Sequence, residues 1–204
     1  MKLEFVLAAG LLVVAPLQVS SQTTSTVHNG QYALRLNRTT FSVDSVLDRE
    51  APGTRVPVAA GDGLILSFWA RNGQVSTSFI NRVAVAFFTS GGTYIPPDIN
   101  FNVSASVPTV WTQFTEPVTT APATAATMNV AFRLDGNSSI VLDDISVINT
   151  STSNTQILTN PGFETWPDPA VIPTGWRFFG SADGNFERLV APAQTAARDS
   201  MMYE

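Results

Sequence analysis

The chain has 204 residues, a formal net charge of −5 and no cysteine, and this length suits one medium-sized domain with its own core. Charged residues make up only 13% of the chain and hydrophobic residues 44%, which excludes a disordered acidic chain and a coiled coil. The lack of cysteine excludes disulfides and thiolate metal sites, and the single histidine excludes multi-histidine metal sites. No basic cluster is present, so no nucleic-acid partner is expected.

An apolar segment near the N-terminus, residues 5–17, follows Lys2 and precedes small residues at positions 20 and 21. It is shorter than the roughly 20 residues that a bilayer-spanning helix needs. The pattern is typical of a secretory signal peptide. The sequence therefore predicts a cleaved signal over residues 1–21 and a secreted or surface-exposed protein without membrane insertion after signal removal; a buried strand is the alternative.

From residue 27 onward, apolar and polar residues alternate with a period of two, and no stretch keeps helical spacing for more than about a turn. Turn signals such as Gly61-Asp62-Gly63 and Pro96-Pro97 separate the alternating segments. The pattern predicts an all-β antiparallel sandwich. Strands are predicted over residues 32–36, 64–71, 82–88, 111–115, 128–134 and 140–148. Residues 150–155 have the composition of a linker, and no closing strand is predicted after them.

Five sequence blocks, taken in chain order, carry a family resemblance. They are residues 28–36, 58–71, 111–114, 120–123 leading into 128–134, and 141–147. In this order they resemble the carbohydrate-binding modules of families four, nine and twenty-two, over about residues 27 to 148. Those modules are jelly-roll β-sandwiches of the galactose-binding-like type. The resemblance implies a jelly roll that binds a polysaccharide or another glycan.

The chain departs from these modules in the place of one strand. The motif that is typical of their opening strand occurs only after the last predicted strand, as Asn160, Pro161, Gly162, Phe163 and Glu164. Three explanations remain open: an incomplete second module, a strand that folds back to complete its own module, or a strand donated to another copy in a filament. An incomplete sandwich leaves unpaired backbone groups at one edge, so a partner strand is expected.

Candidate sugar-binding residues follow from the alternation along the predicted strands. If the even-numbered residues of 64–70 face the core, Trp69 and Arg71 face outward, and the same reasoning turns Asn129 and Arg133 outward. These four side chains are predicted to line one surface, where a flat ring packs against a sugar and planar polar groups bind its hydroxyls. Tyr94, in the predicted loop 91–97, is a further candidate. The alternatives are a packing role for Trp69 and a turn role for Tyr94.

The resemblance also implies a structural calcium ion. Modules of this type hold calcium between the opening-strand glutamate and the acidic pair of the last strand, which here are Glu164 and Asp143 or Asp144. Carboxylate oxygens suit calcium. The site requires the displaced strand to complete this module or another copy of it; otherwise the two aspartates are ordinary strand-end carboxylates.

Catalysis finds no support in the sequence, which contains no nucleophile elbow, phosphate loop or histidine-based triad. The predicted organisation is a signal peptide over 1–21, a sandwich over 22–149, a linker over 150–155 and a second-module or strand-donating segment over 156–204. Two functions are carried forward. The first is a non-catalytic extracellular carbohydrate-binding domain, and the second is a structural subunit of an extracellular filament or virion that binds other copies of itself by strand donation.

Overall fold

A computed structural model describes residues 25–38, 45–48, 55–73, 82–101, 107–118, 120–134, 138–168, 172–180 and 184–192. The predicted signal peptide lies outside these ranges. The described residues form strands and their connections, and they contain no helix long and apolar enough to cross a bilayer. The strands are β1 (Tyr32–Arg38), β2 (Ser45–Asp48), β3 (Val56–Pro57), β4 (Leu64–Asn72), β5 (Arg82–Phe88), β6 (Tyr94–Phe101), β7 (Thr112–Val118), β8 (Thr127–Leu134), β9 (Ser138–Asn149), β10 (Thr155–Gln156), β11 (Arg177–Gly180) and β12 (Gly184–Val190).

These strands form two antiparallel sheets around one main core. The first sheet has the order β12-β1-β9-β4-β7, with β10 beside β9. The second has the order β11-β2-β8-β5-β6, with β3 beside β8. The predicted all-β, antiparallel jelly-roll sandwich is confirmed.

The core consists of the side chains that alternate toward the space between the sheets. On β4, Leu64, Leu66 and Phe68 are at most 2% exposed, while every second residue faces the other way. The Phe68 ring stacks on Phe114 of the same sheet with a centroid distance of 5.2 Å and meets Phe132 of the other sheet edge-on at 5.0 Å. Aromatic contacts thus join the two sheets across the core.

One predicted turn is a strand in the structure. The Pro96-Pro97 pair, joined by a cis peptide bond, lies inside β6, which pairs with β5 alone among the described strands. Proline is tolerated there because an edge strand leaves one side of its backbone without ladder hydrogen bonds. The turn prediction failed because the edge position of a strand is not visible in a local pattern.

The C-terminal segment completes the same sandwich. β12 pairs with β1 and β11 pairs with β2, so the segment supplies an edge strand to each sheet. Phe163 is fully buried in the main core, and the Pro161 carbonyl accepts a hydrogen bond from the Ile145 N–H. The prediction that no strand closes the chain is wrong, and an incomplete second module is not confirmed. Donation of the segment to another copy stays a prediction.

Candidate functional site

The outer surface of the second sheet has a floor of small side chains. On β5 the core residues alternate with Ala84 and Ala86, which therefore face outward. The strand register places Ala84 beside Ala131 and Ala86 beside Asn129, both on β8. Ala84, Ala86 and Asn129 are 7%, 9% and 6% exposed. We call this outer surface of β5, β6 and β8 the alanine face.

Polar side chains of the edge strand border this floor. Ile95 and Ile99 of β6 pack against the core, so Tyr94, Asp98 and Asn100 turn toward the alanine face. Asn100 lies beside Ala84, and Asp98 lies in the irregular stretch of β6 opposite Ala86. A carboxylate and two amides, those of Asn100 and Asn129, thus surround two alanines.

An aromatic group lies at one end of the alanine face. Tyr94 is 43% exposed, and its ring lies 5.9 Å from that of Phe88, the neighbouring residue on β5. The Arg55 guanidinium lies 3.5 Å above the Phe88 ring and donates a hydrogen bond to the Gly92 carbonyl. Phe88 is therefore covered by a cation, whereas the Tyr94 side chain is partly exposed to solvent at the surface.

The structure divides the predicted sugar-binding residues between two surfaces. Tyr94, Asn129 and Arg133 come together on the alanine face, with Arg133 next to β5 at the other end of β8. Trp69 and Arg71 lie on β4, which belongs to the first sheet. Outward residues of opposite sheets point in opposite directions, so the expectation that Trp69 and Arg71 share a surface with Asn129 and Arg133 is wrong.

Trp69 lies beneath the N-terminal residues 25–31, which we call the N-terminal cap. The His28 ring stacks on the Trp69 ring at a centroid distance of 3.8 Å, and Trp111 meets His28 edge-on at 5.7 Å. Val27 of the cap is 4% exposed in a small second core. Arg71 donates a hydrogen bond to the Thr26 carbonyl. These contacts match the packing role that was the alternative for Trp69.

The buried carboxylate of Asp143 anchors the cap. Its Oδ2 accepts hydrogen bonds from the backbone N–H groups of His28 and Asn29, and its Oδ1 accepts one from the N–H of Asp144. Burial raises the pKa of Asp143 to about 7, against the opposing effect of the Asn29 N–H bond. The Asp144 carboxylate binds the His28 Nδ1 at 2.7 Å. The acidic pair thus holds the cap on the first sheet.

Of the residues predicted to bind calcium, Asp143 and Asp144 point their carboxylates at Gly162. A Cβ atom on Gly162 would lie 3.1 Å from Asp144 Oδ1, 3.8 Å from Asp143 Oδ1 and 3.9 Å from the Glu164 Cγ. The prediction of a strand over residues 160–164 is wrong, because this segment forms turns and bends. The segment nevertheless places Gly162, two residues before Glu164, beside the acidic pair. Gly30 has a φ of 64° and lies so close to the Glu164 carboxylate that a larger residue would collide with it.

These carboxylates are already engaged by backbone donors. Both Glu164 oxygens accept hydrogen bonds from the Gln31 N–H, and Oε1 also accepts one from the Tyr32 N–H. Within the described ranges, no three His, Cys, Asp or Glu side chains are arranged to hold a metal ion. The donor set has the oxygen chemistry of calcium, but these contacts hold without a metal. Calcium binding stays a prediction.

Sequence reasoning missed Asp98, Asn100 and the alanine floor. The signal was present, because polar and apolar residues alternate again directly after Pro97, as Asp98, Ile99 and Asn100. The proline pair concealed this alternation, since prolines are usually read as a turn.

No protein-family model matches the chain, and no curated protein matches it significantly. Several solved structures are similar to it. The carbohydrate-binding module of PbXyn10C shares 15% identity at a TM-score of 0.49, with 87% of this chain and 96% of that chain covered. The C-terminal family 22 carbohydrate-binding module of Clostridium thermocellum Xyn10B shares 18% identity at a TM-score of 0.37, with 61% and 76% covered.

A third similar structure is the enzymatically active domain of bacteriophage CBA120 tailspike protein 4. It shares 15% identity at a TM-score of 0.45, and the match covers 56% of this chain but only 15% of that chain. Carbohydrate-binding modules are thus among the solved structures to which this chain is similar, as the sequence resemblance predicted. At these identities and TM-scores, function has to be argued from the chain's own residues.

Proposed function

We propose that the chain is a non-catalytic, extracellular carbohydrate-binding β-sandwich, and that the alanine face is its binding site. The observation that carries the proposal is the row of Asp98, Ala86 and Asn129 across three neighbouring strands, with the exposed Tyr94 at its end. A carbohydrate ligand is also consistent with the names of the similar modules.

The chemistry of this face suits a sugar chain. The C–H face of a sugar ring packs on an aromatic ring, and Tyr94 is the partly exposed aromatic residue at the end of this face. Sugar hydroxyls require both acceptors and donors. The Asp98 carboxylate supplies acceptors, and the amides of Asn100 and Asn129 supply both. The alanines between them leave room for the ligand to approach the sheet.

The experiment is affinity electrophoresis of the full chain in gels that contain soluble arabinoxylan, glucomannan or hydroxyethylcellulose. We expect retention by at least one polymer, and a loss of affinity of about tenfold in Tyr94→Ala, because the ring loses its buried contact area with the sugar. Ile65→Ala is the matched control, since Ile65 is an apolar residue of 39% exposure on the outer side of the other sheet. Equal retention of both variants would contradict the proposal.

A second candidate function is assembly by strand exchange. The observation that favours it is that β11 and β12, both from the C-terminal segment, cover the edges of β1 and β2. Such edge strands are exchanged between copies at little energetic cost. Light scattering of the full chain tests it: fibres or a ladder of oligomers would favour assembly, and a monomer would contradict it.

A further inference from the structure

Asp98 is a carboxylate held at the alanine face without a hydrogen-bond donor. The residue is half-buried, and its Oδ1 is shielded from solvent yet has no hydrogen-bond partner. Its backbone carbonyl accepts a hydrogen bond from the Asn100 amide, which leaves the carboxylate itself unused. Asp98 also forms no ion pair in the part of the chain that the structure describes.

The two aspartates that are buried in the described part of the chain, Asp62 and Asp143, are satisfied by donors. Asp62 accepts hydrogen bonds from the Ala59 N–H and the Asn149 amide, and Asp143 accepts three from backbone N–H groups. A shielded acceptor without a donor destabilises the folded state. The shielded Oδ1 of Asp98 is therefore costly for the isolated protein, and a ligand that brings a donor to it removes that cost.

The position of Asp98 indicates which chemical groups such a ligand presents. Asp98 lies opposite Ala86, whose other neighbour is Asn129. A sugar on this floor presents hydroxyl groups, which donate to a carboxylate in strong charge-assisted hydrogen bonds. The carboxylate rotates about its terminal torsion at little energetic cost, so either oxygen can turn to the ligand.

The same carboxylate repels ligands that carry negative charge. Among the described residues, no cation forms an ion pair with it. Arg133 lies beside Arg82, four residues along β5 from Ala86, which is a backbone separation of roughly 13 Å at the rise of a strand. The Arg55 guanidinium is stacked on Phe88. The formal net charge of −5 acts in the same direction.

We propose that Asp98 accepts the hydroxyl groups of the ligand and makes the site selective for uncharged glycans over polymers that bear carboxylates. This inference rests on the proposed carbohydrate-binding function. A binding role explains why the folded protein keeps this carboxylate without a hydrogen-bond donor.

The test compares two pairs of polymers, each pair with a common backbone. These are hydroxyethylcellulose with carboxymethylcellulose, and arabinoxylan with glucuronoxylan. We expect the full chain to bind a neutral polymer at least tenfold more tightly than its acidic partner. Asp98→Ala should weaken binding of the neutral polymer about tenfold or more, since it removes a hydrogen-bond acceptor that carries charge. Asp98→Asn should reduce the neutral-to-acidic ratio at least fivefold.

Glu187→Gln is the matched control. It removes the same charge from β12 in the other sheet, where Glu187 binds Arg35 at the surface, and it should leave the ratio within twofold. A melting temperature of Asp98→Ala that is not below that of the unmodified chain would support a binding role, whereas a clear decrease would indicate a structural role and overturn it.

The remaining outcomes separate the two proposals. If the chain binds a neutral polymer but Asp98→Ala binds it equally well, or if the acidic partner binds equally well, the inference about Asp98 is overturned and the carbohydrate-binding function stands. If neither these four polymers nor glucomannan is retained, both are overturned; retention by glucomannan alone overturns only the inference about Asp98, since no neutral partner is then preferred over its acidic one.

Discussion

The two outer faces of the sandwich carry similar side chains but differ in what covers them. On the first sheet, Trp69 lies under the His28 ring, and the N-terminal cap seals a small core with Val27. On the second sheet, Tyr94 remains 43% exposed beside a floor of alanines. Both aromatic residues point outward from their sheets. An outward aromatic residue is therefore a ligand platform only where no other segment of the chain packs on it.

The largest expected effect on stability concerns Asp143, which anchors the N-terminal cap on the first sheet. Asp143→Ala leaves the N–H groups of His28, Asn29 and Asp144 without their acceptor. We expect the free energy of unfolding to fall by about 3 kcal/mol, since each buried unsatisfied donor costs roughly 1 to 3 kcal/mol. Chemical denaturation measures this. Asp143→Asn keeps one acceptor oxygen and should lose clearly less; an equal loss would argue against the anchoring role.

The covered tryptophan should matter for stability and not for binding. Trp69→Ala removes the ring on which His28 stacks, and we expect a loss of about 2 kcal/mol, less than for a fully buried aromatic residue. The affinity for a retained neutral polymer should be unchanged. A selective loss of affinity with full stability would show that the face under the cap binds ligand after all.

The stability of the covered face should also depend on pH. Burial raises the pKa of Asp143 from 3.8 to about 7 in the folded chain. An acid with a raised folded-state pKa loses stability as pH rises between the two values, because only the unfolded chain readily releases the proton. Melting temperatures in EDTA should therefore fall from pH 4.5 to pH 7. A slope in Asp143→Asn as steep as in the unmodified chain would contradict this origin.

The smallest effect on stability is expected on the open face. Tyr94→Ala removes a largely exposed ring, so the free energy of unfolding should change by about 0.5 kcal/mol or less, in contrast to its tenfold effect on binding. Thermal denaturation next to Trp69→Ala compares the two faces directly. A loss as large as that of Trp69→Ala would mean that Tyr94 is also a packing residue.

The alternation along single strands was predictable from the sequence, and the pairing of strands was not. The pattern of residues 64–71 and 128–134 correctly turned Trp69 and Asn129 outward. It contained no information on which sheet each strand joins, because a period of two describes one strand and not its neighbours. The two residues therefore lie on opposite faces of the protein.

The role proposed for Asp98 was missed for a related reason, although Tyr94 and Asn129 of the same face were predicted. Asp98 matters because it lacks a donor, and donors come from whichever segments the fold brings close. The C-terminal segment folds back, so that Glu164 accepts hydrogen bonds from the N–H groups of Gln31 and Tyr32. This was likewise only one of three open alternatives, since the local sequence does not decide whether a segment completes its own domain or that of another copy.

The strand order has a consequence for how the chain folds. In the described residues only two pairs join consecutive strands, β5 with β6 and β9 with β10. β1 pairs with β9 and β12, which emerge from the ribosome long after β1. Contacts between such distant segments form slowly, because a long loop must close before any of them is gained. We expect this part of the nascent chain to remain unfolded until β12 has been synthesised, a condition in which a polypeptide can still be threaded through a narrow translocation pore.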